Sequence, residues 1–185
     1  MISAAAKLPP KFLSLIYCLH ISFLTFHSLV IMKIIQQEKL NNKQKEKIFK
    51  LWNNEYPKNL VYKSLEDFEN YLQKLTEQNH YILLDTSEEI YGWATTFVRE
   101  KEKWFAIIIS ENIHGKGWGT KMLNELKNNE PTLNGWVIDH FLDVKLNGQM
   151  YRSPLNFYIK NGFLTLPEIR LELETISAVK IQWTK

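Results

Sequence analysis

From Met32 onward the hydrophobic positions change period repeatedly, and each change marks an element. Met32–Gln36 (MKIIQ) is a short apolar run suited to a strand. Lys43–Trp52 then sets Ile48, Leu51 and Trp52 at i, i+3 and i+4, a helical stripe that Pro57 closes. Ser64 opens a second helix with an S-x-x-D cap and puts Leu65, Phe68, Leu72 and Leu75 on one face. His80–Asp85, Ile90–Arg99 and Trp104–Ser110 predict three strands, joined as hairpins by the polar turn Thr86–Glu89 and the charged turn Glu100–Lys103. Ile107–Ile109 is the most apolar stretch of these and predicts a central strand. A helix comes next over Gly115–Leu126 with Met122, Leu123 and Leu126 as its apolar face, then a strand over Gly135–His140 (GWVIDH). Leu155–Asn161 predicts a short helix with Gly162 as its C′ glycine, and Glu172–Trp183 returns to strand-like runs. Strand runs with helices inserted between hairpins predict one α/β (α+β) domain over 32–185 built on a mixed sheet.

Residues 1–31 need separate treatment. Phe12–Met32 carries no formal charge and is long enough to span a bilayer. It also resembles the apolar middle of a signal peptide, although it has no A-x-A-like cleavage site. A third reading takes Met32 as the true start, since the stretch from Met32 to Lys185 looks complete by itself. Across the whole chain Lys+Arg 23 against Asp+Glu 20 gives +3, and Lys7 and Lys11 supply two of those charges. The remainder is nearly neutral, which argues against a nucleic-acid module held to phosphates by net charge. The single cysteine, Cys18, lies in the apolar segment, so from Met32 on there is no thiol for a disulfide, a thiolate metal site or a nucleophile.

Seven glycines serve the chain, yet Gly115, Gly117 and Gly119 fall within HGKGWG, between the most apolar strand and an amphipathic helix. Glycines let backbone approach a ligand, and a helix start presents unpaired amides and the positive end of its dipole. A phosphate fits there. The spacing is neither that of a Walker A loop nor the GxGxxG of a dinucleotide fold. A tight strand-to-helix turn with no ligand is the plainer alternative.

The segment IIISENIHGKGWGTKMLNEL resembles the acetyl-coenzyme A loop of the GCN5-related N-acetyltransferase (GNAT) superfamily, with His114 where that pattern usually has Gln or Arg. Downstream, Asn156–Phe163 (NFYIKNGF) resembles the superfamily's second signature, a Tyr four residues before a Gly-Phe pair. The resemblance covers all but the N-terminal segment. It implies a mostly antiparallel central sheet flanked by helices, acetyl-CoA as co-substrate, no metal, and a cytoplasmic enzyme, membrane-tethered only if residues 12–32 are a real anchor. It further implies that His114, Gly115, Lys116, Gly117, Trp118, Gly119 and Thr120 hold the pyrophosphate. Ile107 and Ile109 would offer backbone to the pantetheine arm. Many members carry an Asn where this chain has Tyr151, and Ser153 or Asn156 is the candidate substitute.

Acetyl transfer to an amine needs the amine deprotonated, the thioester carbonyl polarised and the departing thiolate protonated. Tyr158 is the candidate for the last task, since a phenol stays protonated at neutral pH; its plainer reading is a half-buried aromatic. Asp139 and His140, placed at the end of the GWVIDH strand, are candidates for accepting the amine proton; solvated turn residues are the alternative. Lys116 and Lys121 would assist the coenzyme's charge, and Trp93, Trp104 and Trp136 read as core. The histidines are scattered with no metal-ligand spacing. Two function classes stay open: an N-acetyltransferase acting on a primary amine of a small molecule, peptide or protein, or a non-catalytic acetyl-CoA-binding sensor or regulatory protein. Neither needs a nucleic-acid partner, either would be a monomer or homodimer, and the acceptor pocket would come from Tyr56–Ser64 and Phe141–Pro154.

Overall fold

The computed structural model describes residues 31–185, so nearly all of the apolar segment Phe12–Met32 lies outside it. Among the described residues no helix is long and apolar enough to cross a membrane. Seven strands form one sheet in the order β1-β2-β3-β4-β5-β7-β6. They are β1 (Met32–Gln37), β2 (Thr76–Asp85), β3 (Ile90–Arg99), β4 (Glu102–Ile109), β5 (Thr132–Val137), β6 (Leu164–Leu173) and β7 (Ile176–Thr184). Neighbours run antiparallel except β4 and β5, which are parallel. The sheet is therefore mixed and mostly antiparallel, and β4 takes the central position expected of the Ile107–Ile109 run.

Four helices cover the two faces. α1 (Asn42–Glu55) starts from a capping box in which the Asn41 side chain and Gln44 satisfy each other's backbone, and α2 (Leu65–Gln73) starts from the equivalent Ser64–Asp67 pair. Ile48, Leu51 and Trp52 of α1 and Phe68 and Leu72 of α2 pack with Ile82, Leu84, Trp93 and Ile108 on one face. α3 (Trp118–Asn129) and α4 (Leu155–Lys160) cover the other, where Met122, Leu123 and Leu126 meet Tyr81, Leu83, Phe105, Leu133, Val137 and Ile181. Full burial of each such side chain contributes about 1.5–3 kcal/mol, so each helix is fixed mainly by its apolar stripe. Trp93 and Trp104 are core residues, and Trp136 is half-buried beside Trp104 with ring centroids 5.2 Å apart.

Three departures from the pattern reading bear on the site. α3 starts at Trp118 rather than Gly115, because Gly115 and Gly117 take φ of 73° and 80°, left-handed values that a helix cannot hold. β5 ends at Val137, which leaves Asp139 and His140 beyond the strand. The Glu172–Trp183 runs resolve into a hairpin of two strands, with β6 beginning at Leu164. Pro167 and alternating charges hide β6 in the sequence; it is an edge strand, and the register shift between Leu166 and Arg170 takes up the proline.

Candidate active site

The site begins where two strands part. β4 and β5 are joined by one ladder pair, Trp104↔Asn134, reinforced by the Asn134 side-chain amide donating to the Lys103 carbonyl at 3.0 Å. Beyond that stitch β4 keeps its whole ladder with β3, up to Gly92↔Ile109, while β5 turns to pair with β7 up to Val137↔Val179. The edge of β4 that faces β5, from Phe105 to Ile109, thus has no strand partner among the described residues. Ile107 and Ile109 are only half-buried despite their central strand, because the gap opens beside them.

At the C-terminal end of β4, a 3-10 turn at Glu111–Ile113 leads into His114–Gly117 and then α3. Gly117 caps α3 with no side-chain hydrogen bond, so the first-turn amides keep the free donors that every helix start has. A Cβ built on Gly115 or Gly117 would meet no protein atom within 4 Å, so backbone here faces open space. Gly119 serves another purpose, since its Cβ would stand 3.0 Å from the Phe157 ring; it lets α3 approach α4. The His114 ring turns back, its Nε2 donating to the Ile109 carbonyl at 2.9 Å, and so it braces the loop against the end of β4. Lys116 Nζ donates to the Asn112 carbonyl, Lys121 Nζ lies 4.1 Å from the Trp118 ring centroid, and Thr120 is exposed. Bare backbone over a helix start, beside an unpaired strand edge, fits an extended ligand with phosphates at one end.

On the β5 side, Tyr158 of α4 is buried, packing edge-on against Phe105 of β4 at 5.8 Å and Phe163 at 5.5 Å. Burial, with the Tyr151 phenol nearby, raises its pKa far above that of a free phenol. Tyr56 and Tyr151 are raised too, mainly by burial; Tyr56 also feels Tyr151 and Tyr158, and Tyr151 feels Asp143 and Glu55. Ser153 Oγ donates to the Ile138 carbonyl at 2.6 Å and accepts from the Leu155 amide, which ties the start of α4 to the end of β5, while Asn156 is exposed in the first turn of α4.

Asp139 and His140 are each engaged. Both Asp139 oxygens accept from the Arg170 guanidinium, at 2.9 and 3.0 Å, and that bond holds the carboxyl below its usual range. His140 Nδ1 accepts from the Leu142 amide at 3.3 Å, and its Nε2 is 4.0 Å from Asp143.

A cluster that sequence reasoning missed closes the site. Lys145, 8% exposed, donates to Glu55 Oε2 at 2.8 Å and to Glu111 Oε2 at 3.0 Å, while the Glu111 amide donates to Glu55 Oε1 at 3.0 Å. The same crossover meets the α1–α2 loop through the Pro57↔Lys145 bridge and the Lys58 amide on the Val144 carbonyl. Burial works against the Lys145 charge, but hydrogen bonds to Glu55 and Glu111 outweigh it and raise its pKa. No sequence signal joins residues 55, 111 and 145. Among the described residues, no group of three or more His, Cys, Asp or Glu is placed to hold a metal.

The mixed sheet, with one parallel pair among the described residues, has the fold of solved GNAT-family acetyltransferases. Solved structures match it over most of their length at low identity. An aminoglycoside 6'-N-acetyltransferase complexed with coenzyme A is 15% identical, with 82% of this chain and 96% of that one covered at a TM-score of 0.63. The spermidine N-acetyltransferase from Vibrio cholerae, in complex with CoA and spermine, is 15% identical, with coverage of 82% and 95% and a TM-score of 0.59. The ribosomal-protein-S18-alanine N-acetyltransferase from Escherichia coli is 13% identical, with coverage of 83% and 94% and a TM-score of 0.57. No protein-family model matches the sequence, and no curated protein matches it.

Proposed function

We propose that the protein is an N-acetyltransferase that moves an acetyl group from acetyl-CoA to a primary amine. The observation that carries this reading is the gap between β4 and β5, whose mouth holds the Gly115–Gly117 loop and the free end of α3. Acetyl-CoA supplies a thioester whose carbon takes the amine nitrogen as the carbon–sulfur bond breaks. Amides of the α3 first turn, Trp118 to Thr120, with Gly115 and Gly117 bare above them, bind the pyrophosphate, and Lys116 and Lys121 add positive charge. The unpaired edge of β4 around Ile107 and Ile109 aligns the pantetheine arm as a strand partner would.

Tyr158 gives its proton to the departing thiolate. A raised pKa keeps the phenol protonated throughout the working range, which a donor requires. Asp139 acts through Arg170 and anchors the end of β5 to β6, on the side away from β4. For His140 to receive the amine proton, directly or through water, its Nδ1 must first give up the Leu142 amide, a long contact at 3.3 Å.

Tyr158→Phe tests the assignment. The ring stays, so coenzyme affinity holds, while kcat falls about 10²–10⁴-fold, the usual contribution of general acid catalysis. A near-normal kcat with chemistry rate-limiting would assign the proton to another donor. Coenzyme binding without turnover on any amine would make the protein a binder rather than an enzyme.

A further inference from the structure

Resting on the acetyl-transfer reading, we infer that the acceptor is a monoamine carried on an apolar body, and not a polyamine or other polycation. The two segments that meet over the acceptor side are basic: Tyr56–Ser64 holds Lys58 and Lys63 with no acid, and Phe141–Pro154 sets Lys145 and Arg152 against Asp143 alone. Three of the four carboxylates at hand are already engaged. Glu55 takes the Glu111 amide and Lys145, Glu111 takes Lys145, and Asp139 takes Arg170, while Asp143 lies 4.0 Å from the His140 ring. A polycation entering here would lose water, gain at most the Asp143 carboxylate and meet like charge on Lys58, Lys63 and Arg152.

What the crossover offers instead is apolar surface. Phe141, Leu142, Leu146 and Met150 are 59%, 87%, 59% and 63% exposed within ten residues. They ride on a segment pinned by the Val144↔Met150 bridge, by the Lys145 amide on the Gln149 carbonyl at 2.8 Å and by the Lys145 ion pairs. Leu146 lines a recess with Asn54, Glu55, Glu111, Asn112 and Lys145, directly beside the end of β4. In the adjoining Tyr56–Ser64 segment, Tyr56 stacks on Trp52 with centroids 4.3 Å apart, and Tyr62 lies 5.2 Å from the same indole. An apolar substrate body covers such a surface favourably, and aromatic faces tolerate one ammonium before it deprotonates for attack.

The experiment compares 2-phenylethylamine, ethanolamine and spermidine at low ionic strength, using the full chain, with coenzyme A release as the rate and calorimetric coenzyme A binding as control. The inference expects kcat/KM for 2-phenylethylamine to exceed both others at least about tenfold, the scale of a few methylenes in an apolar pocket. Phe141→Ser with Leu146→Ser should raise KM for 2-phenylethylamine about tenfold, leaving coenzyme affinity and thermal stability unchanged; Leu142→Ser is the second variant. Spermidine equalling or exceeding 2-phenylethylamine, or variants that leave its KM alone, would overturn the inference. So would coenzyme binding with none of the three amines acetylated, although the coenzyme assignment would then stand. Failure of the wild type to bind coenzyme A would instead remove the acetyl-transfer reading itself.

Discussion

On the side of the β4–β5 gap proposed for the coenzyme the chain offers backbone: the unpaired edge of β4, the bare loop at Gly115 and Gly117 and the first amides of α3. On the side proposed for the acceptor it offers side chains, with Tyr158 packed among Phe105, Phe157 and Phe163 and Lys145 clamping Glu55 to Glu111. The difference teaches how each half tolerates change. A backbone site needs only that nothing intrude, so one added side chain blocks it. A side-chain site is held by partners far apart in sequence, so losing one partner loosens the wall without abolishing the fold.

The sharpest break of that contrast is a matched pair of glycine substitutions. Gly117 and Gly148 share φ of 80° and open space at the Cβ, so valine strains the backbone equally in both. Gly117→Val is expected to weaken coenzyme A binding about 100-fold or more by calorimetry, as a helix-start anion site is blocked, while Gly148→Val leaves it near normal. Equal losses would mean that strain, not the phosphate loop, is responsible.

Stability should follow the side-chain wall and the buried histidine. His80 is buried against Trp93 with an unpartnered Nδ1, and burial lowers its pKa to about 4. Its folded pKa lies below the unfolded value, so the fold keeps its full stability above about pH 6.5 and loses it as pH falls toward 4, by about 3 kcal/mol at most. Urea melts across that range should show the loss, and His80→Gln should flatten it. Lys145→Met is expected to cost about 2 kcal/mol, less than a fully buried pair because Glu111 reaches solvent, with coenzyme affinity changed only a few-fold. Lys145→Arg should recover most of it. Asp139→Asn should have the smallest effect, a few-fold at most on kcat; a 10²-fold loss would make Asp139 the base after all.

The same contrast explains what the sequence made legible. Glycine spacing before an amphipathic helix and the Tyr158–Gly162–Phe163 signature are local, and the loop and α4 fall where those patterns put them. The role of Gly119 was not local: its neighbour Phe157 arrives from another helix. Asp139 and His140 read as free strand-end groups because Arg170 and the Leu142 amide, which engage them, lie on a hidden edge strand and in an irregular crossover. Glu55, Glu111 and Lys145 meet only through tertiary contacts across 90 residues of chain, a pairing that periodicity cannot register.

Hydrogen exchange on the full chain, with and without coenzyme A, tests the central claim most directly. The account predicts that coenzyme A slows exchange at amides 106–109 of β4 and 117–120 at the start of α3, and leaves the edge strand Leu164–Leu173 unchanged. Saturating coenzyme A that protects neither segment, or protects only residues away from the β4–β5 gap, would contradict it.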